Sequence, residues 1–132
     1  MSQENVEAVR RMFAAYSRAD VEAVVATAAA DIEVRPGLVG GLEGTVYRGR
    51  EGFRRFLTDV DAAWEEWRIE IEELRDLDDT VLALGQVRAR AREGMALEAH
   101  AGWVCRMRGG KLAEFRSFVS PAEALEAVGL PE

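Results

Sequence analysis

The hydrophobic period of the chain changes midway. From Trp67 onward, the segments WRIEIEELR, TVLALGQVRARAR, LEAHAGWVCRM and GKLAEFRSFV alternate apolar and polar residues in twos, the spacing of strands whose side chains point to opposite faces. Strands of this kind must bury one face. The chain has 132 residues, 48% of them hydrophobic and 31% charged, which suits one core rather than two. A single domain over 1–132 is therefore expected, and whatever covers the sheet has to come from the residues before Trp67 or from the short tail.

Those residues carry helical spacing. Ser2 can cap a first helix with Val6, Val9, Phe13 and Tyr16 on one face, and Asp20 a second with Val21, Val24, Val25 and Ala28 aligned. A third helix, starting near Arg50, stacks Phe53, Phe56, Leu57, Val60 and Trp64 on a stripe. The glycine-rich EVRPGLVGGLEGTVYRG between them reads as a loop region with short extended pieces. Near the end, Ser120 is an N-cap, Pro121 takes the first helical position, Glu123 completes a capping box and Gly129 follows the last turn.

Strand register can be argued from side-chain matching. Pairing Val81, Ala83, Gly85, Val87, Ala89 and Ala91 with Met107, Cys105, Trp103, Ala101, Ala99 and Leu97 sets apolar against apolar throughout and lays Trp103 over Gly85. The implied hairpin loop is Glu93-Gly94-Met95, and the outward pairs are Arg90 with Glu98 and Arg88 with His100. For the next hairpin, a three-residue Arg108-Gly109-Gly110 loop keeps Ala113, Phe115, Ser117 and Val119 on the apolar face. A two-residue Gly-Gly turn would bring Glu114 and Arg116 there instead, so the longer loop is expected. His100, the one histidine, then faces outward, away from any catalytic position.

Composition excludes several function classes. The net charge is −7, and the 17 basic residues are scattered among 24 acidic ones, so nucleic acid is not an expected partner. A single cysteine makes no internal disulfide, and Cys105 reads as a small inward apolar residue. The start MSQENVEAVRRMF has no apolar signal region, and no apolar run reaches membrane-spanning length. A reduced, cytoplasmic protein with no membrane partner is expected. No metal or nucleotide motif is found, so neither metal nor cofactor is expected.

Three stretches, AAYSRADVEAVVATAAADIEVRP, YRGREGFRRFL and GGKLAEFRSFVSPAEALEAVGL, give the chain a family likeness: it resembles SnoaL-like proteins of the nuclear transport factor 2-like superfamily over essentially its whole length. The resemblance implies an α+β fold, a cone-shaped barrel with the N-terminal helices packed in a curved antiparallel sheet and a short C-terminal helix. It also implies an apolar cavity open at one end and, often, a homodimer through the outer sheet face. Outward Leu82, Leu84 and Val104 suit such an interface. Carried over by position, the familiar acids are missing: Arg35 stands where ketosteroid isomerases keep their base, Met12 and Trp103 where they keep their oxyanion donors, and Ser117 or Ser120 where epoxide hydrolases and cyclases keep an acid.

The expected cavity wall comprises Phe13, Tyr16, Phe56, Val60, Trp64, Ala99, Ala101, Trp103, Phe115 and Ser117, with Val87 and Val119 contributing. Alanines 89, 99 and 101 facing aromatic residues leave volume for a cavity, or else the stripe is simply a close-packed core. Glu33 and Arg35 share one face of the first strand; Arg35 at the cavity mouth would orient a ligand, with Glu33 as base. An exposed edge-strand ion pair is the plainer alternative. Tyr16 and Tyr47 are candidate donors to a ligand. Two functions follow: binding of a small hydrophobic molecule without the usual acids, or an isomerase, lyase or hydrolase of small cyclic or polyketide-like substrates using Arg35, Glu33 and a tyrosine.

Overall fold

The computed structural model describes residues 3–37 and 45–131. In chain order they form α1 (Gln3–Ser17), α2 (Val21–Ala26), β1 (Ala28–Arg35), β2 (Tyr47–Arg48), α3 (Gly49–Ala63), β3 (Trp64–Leu77), β4 (Thr80–Ala91), β5 (Ala96–Arg108), β6 (Lys111–Phe118) and α4 (Pro121–Ala127). The Ser2 cap and residues 38–44 of the glycine-rich stretch lie outside the described residues. Asp20 accepts from the Ala23 N–H at 3.1 Å to start α2, and Ser120 accepts from the Glu123 N–H at 3.2 Å to start α4. Both caps stand where the sequence puts them. Ala28, read as part of the second helix, opens β1 instead.

The strands make one curved, unclosed sheet in the order β2-β1-β6-β5-β4-β3. It is mixed rather than wholly antiparallel: β1 runs parallel to β6, setting Val34 beside Phe115 and Arg35 beside Arg116. A parallel pair needs a long crossover, and α3 with the β3–β5 meander supplies it. The concave face holds the main core, where Phe13 of α1 meets Trp103 at 5.6 Å and Phe115 at 6.0 Å between ring centres, both edge to face. Phe53 of α3 closes on Phe115 from the other side.

Two register expectations are corrected. The β4–β5 pairing is offset by two residues, so that Val81 faces Cys105, Ala83 faces Trp103 and Gly85 faces Ala101. A shift of two preserves which residues face inward, so Val81, Ala83, Val87, Ala89, Ala101, Trp103 and Cys105 are buried as expected. The outward neighbours do change: Arg88 lies across from Glu98 at 3.5 Å, His100 across from Gln86, and the loop becomes Arg92-Glu93-Gly94. Gly85 is small for another reason. A Cβ there would stand 2.0 Å from the Glu70 carbonyl oxygen, beside the register shift between Ile71 and Glu73 of β3.

The β5–β6 hairpin is the second correction. Arg108 pairs with Lys111 across a two-residue turn of Gly109 and Gly110, both at positive φ. Such a turn by itself would turn Glu114 and Arg116 inward. A register shift after Met107–Leu112 takes up one residue, Ala113, and restores the alternation, so that Phe115 and Ser117 are buried. Val119, expected in the core, is 52% exposed because β6 has ended and the chain is turning into the α4 cap.

On the outer face, α4 lies across β4 and β5. Leu82, Val104, Ala124 and Leu125 are buried there, with Leu84 and Phe118 packed against them. Of the outward residues that suggested a dimer interface, Leu82 and Val104 are thus buried within the chain and Leu84 is partly covered, which narrows the apolar ground for a second copy on this face. Gly102 permits the close approach: a Cβ there would stand 2.5 Å from the Ala124 Cβ. Gly102→Ala should lower unfolding stability in urea by about 1–3 kcal/mol, the usual cost of overpacking. Combining it with Ala124→Gly should recover part of that loss; strict additivity of the two would show that α4 does not rest on Gly102.

Candidate functional site

The concave face narrows to a pocket built by five elements and the residue after β1. Tyr16 comes from α1, Pro36 directly follows β1, Phe56 and Val60 come from α3, Trp67 and Ile69 from β3, Trp103 from β5, and Phe115 and Ser117 from β6. Its free volume is about 10 Å³, the room of roughly one water molecule. On its helix side lies an open cleft of about 530 Å³ between the end of α1, α2, the end of α3 and the start of β3. Tyr16, Val60 and Trp67 line both spaces and so stand between them.

A bulge puts the tryptophans on this wall. Trp64 and Trp67 are three apart, which in a regular strand sends them to opposite faces. The β3–β4 register shifts by one residue between Trp64 and Glu66, with Trp64 across from Ala91 and Trp67 across from Ala89, and both rings then turn inward, their centres 5.4 Å apart.

The polar atoms here are neutral. Burial pushes the Tyr16 hydroxyl well above the ordinary tyrosine range, against a smaller opposing pull from the Trp67 indole beside it. Trp67 Nε1–H nonetheless forms no hydrogen bond of acceptable geometry, and Trp64 Nε1–H, on a residue only 4% exposed, forms none either. Ser117 is buried with them. Among the described residues no charged side chain lines the inner pocket; Asp20, Asp61 and Glu65 line the outer cleft. Among the described residues no cluster of three or more His, Cys, Asp or Glu side chains is placed to hold a metal ion, and no helix is long and apolar enough to cross a membrane.

Of the residues proposed from sequence for the cavity wall, Tyr16, Phe56, Val60, Trp103, Phe115 and Ser117 surround the pocket, and Trp64 lines the cleft. Phe13 sits one layer behind, packed on Trp103 and Phe115. Ala99 and Ala101 share the inner face of β5 but are not among the residues that enclose the pocket. Trp67, Ile69 and Pro36 do enclose it and were not anticipated. The alternation in WRIEIEELR carries that signal for Trp67 and Ile69, since it places them with Ile71 on one face.

Glu33 and Arg35 are elsewhere. Ile32 and Val34 are fully buried, so the alternate residues of β1 project from the outer face. There Arg35 pairs with Glu33 at 2.8 Å and with Glu114 at 3.2 Å, while Arg48 pairs with Glu33 at 2.9 Å and Arg106 with Glu114 at 3.1 Å. The Arg35 guanidinium, with Arg48 beside it, holds the Glu33 carboxyl below the usual range. Arg35 therefore does not reach the cavity mouth as the resemblance implied; the exposed ion pair is what the structure shows. Tyr47 donates to Asp59 at 2.7 Å, its hydroxyl satisfied within the protein. Cys105 is fully buried, and burial pushes its thiol up, which leaves it unreactive.

Comparison with known proteins agrees with this geometry. A structure of a nuclear transport factor 2-like protein of unknown function from Burkholderia pseudomallei superposes with a TM-score of 0.81 at 25% identity, over 98% of this chain and 99% of that one. A Mycobacterium tuberculosis protein in complex with estradiol-17beta-hemisuccinate has a TM-score of 0.75 at 19% identity, covering 89% and 94%. A Catenulispora acidiphila protein with a ketosteroid isomerase-like fold, in complex with trimethylamine, has a TM-score of 0.76 at 21% identity, covering 95% and 94%. No curated protein matches. The family model described as the SnoaL-like domain matches residues 9–115, and the chain belongs to that family, with a nuclear transport factor 2-like fold.

Proposed function

We propose that the protein binds a small, uncharged, hydrophobic molecule in the concave pocket. The observation that carries this reading is the wall itself: among the described residues, aromatic and aliphatic side chains interrupted only by neutral polar atoms, on Tyr16, Trp67 and Ser117. Pockets of this make-up reward apolar shape and a few well-placed hydrogen bonds. Because the free volume is about 10 Å³, an occupant has to part the wall, and Tyr16, Val60 and Trp67, which also face the open cleft, are the side chains whose rotation admits it. The complexes of the M. tuberculosis and C. acidiphila proteins support small-molecule binding on this fold, each holding a small molecule. Glu33 and Arg35, on the opposite face of the sheet, give no support to the isomerase, lyase or hydrolase alternative.

Indane, an apolar bicyclic probe, tests the reading directly. Titration followed by NMR should move resonances of Phe56, Val60, Trp67 and Phe115 and leave outward His100 unmoved; shifts confined to the outer face would sink the proposal. Val60→Phe, which adds bulk between cleft and pocket, should weaken binding at least about tenfold, whereas Arg35→Met should leave it within a few-fold.

Tyr16 acts here as a donor and not as a base, and its titration checks that. Its folded pKa is raised, so the unfolded chain releases the proton first, from about pH 10. The stabilisation is complete below that pH and is lost as pH rises further, by up to about 1.4 kcal/mol per pH unit. Tyr16→Phe should flatten the alkaline limb of the stability curve above pH 10. An unchanged slope would mean that the hydroxyl is not buried.

A further inference from the structure

Trp67, on the wall between pocket and cleft, and Trp64, beside it on the cleft, carry donors that the protein does not satisfy. Both Nε1–H groups are shut off from solvent; that of Trp64 has no partner, and that of Trp67 lies beside the Tyr16 hydroxyl without the geometry of a hydrogen bond. The bulge at the start of β3 brings their rings to 5.4 Å of each other. The Tyr16 hydroxyl, a further donor, shares the same wall. Native proteins pair nearly all buried polar groups, and each unpaired one costs on the order of the desolvation of an N–H, so two unsatisfied donors side by side call for an acceptor.

The charge around them limits which acceptor. Among the described residues, the cleft is lined by Asp20, Asp61 and Glu65 and by no lysine or arginine. Asp20 is engaged as the cap of α2. Among the described residues, the side chains of Asp61 and Glu65 form no ion pair, and the nearby guanidinium, that of Arg92, donates at 2.9 Å to the backbone carbonyls of Asp61 and Ala62. An anionic ligand would meet these carboxylates with little to offset them.

We propose that Trp64 and Trp67 are specificity-determining residues, whose indole N–H groups receive a neutral hydrogen-bond acceptor, a ketone or similar carbonyl, carried on the hydrophobic ligand. The proposal rests on the pocket reading above and adds the chemical class. It predicts an order opposite to simple hydrophobicity, since a ketone partitions into an apolar pocket less readily than its parent hydrocarbon.

The test compares 1-indanone, indane and indane-1-carboxylate on the full chain, with affinity read by tryptophan fluorescence and contacts by the three indole N–H resonances, assigned with Trp64→Phe and Trp67→Phe. 1-Indanone should bind at least about tenfold more tightly than indane and move the Trp64 and Trp67 indole resonances downfield, and the carboxylate should bind most weakly. In Trp67→Phe the ratio of ketone to hydrocarbon affinity should shrink severalfold, whatever the change in absolute affinity that altering a wall residue brings; if that variant does not fold, the resonance shifts in the unaltered chain decide. Equal affinity for indane and 1-indanone with both indole resonances unmoved would overturn the proposal and leave the apolar pocket standing, as would tightest binding of the carboxylate. Failure of all three compounds to bind would remove the pocket reading and this inference together.

Discussion

A residue in a strand has two directions in which to point, and in a sheet that wraps a helical core one of them has to be apolar at every step. This constraint governs the molecule from Trp64 to Phe118. Where the plain alternation would fail, the chain inserts a single residue. The shift between Trp64 and Glu66 brings two indoles to the concave side, the shift between Ile71 and Glu73 accompanies the close approach of Gly85 to the Glu70 carbonyl, and Ala113 returns Glu114 and Arg116 to the outer face after a tight Gly-Gly turn. Each irregularity keeps charges out of the core, and the first also builds the wall on which ligand recognition is proposed.

The inward faces of β4 and β5 were legible because parity is visible in the letters: VRARAR and LEAHA alternate without exception. Register was not, since a slip of two leaves every inward residue inward and costs only a change of outer partner, such as Glu98 moving from Arg90 to Arg88. The turn at Gly109 and Gly110 was misjudged for a related reason: a bulge in the following strand corrects the parity of a two-residue loop, and nothing in KLAEF announces a bulge. The caps of α2 and α4 were legible because they are local, needing only a side chain and an N–H three residues on.

The outer face shows how an apolar residue on a polar side can be misread. TVLALG is apolar on both sides of the strand while QVRARAR is apolar on one, and a segment apolar on both sides is one covered on both sides. The cover is α4, whose Ala124 and Leu125 complete a small second core over Leu82 and Val104. Arg35 was misread the other way. Position within a family suggested the cavity, but β1 obeys the same parity as its neighbours, and with Ile32 and Val34 buried Arg35 projects outward, where it meets the carboxylates of Glu33 and of Glu114 on β6. Local alternation outweighed positional analogy.

The pocket that remains is nearly full, and this bears on how it works. A wall packed to a free volume of about 10 Å³ gains dispersion contacts in the empty protein, and an occupant must replace them before it adds anything. Apolar contact alone therefore exchanges like for like and gives weak selectivity. The indole N–H groups are different, because in the empty protein that of Trp64 has no partner to lose and that of Trp67 only a poorly aligned Tyr16 hydroxyl. An acceptor that reaches them recovers a cost already present in the folded state, so two neutral donors weigh more in selection than the much larger apolar area around them. On this reasoning the discrimination of the site resides in the bulge that set Trp64 and Trp67 on one face, rather than in any charged residue of the chain.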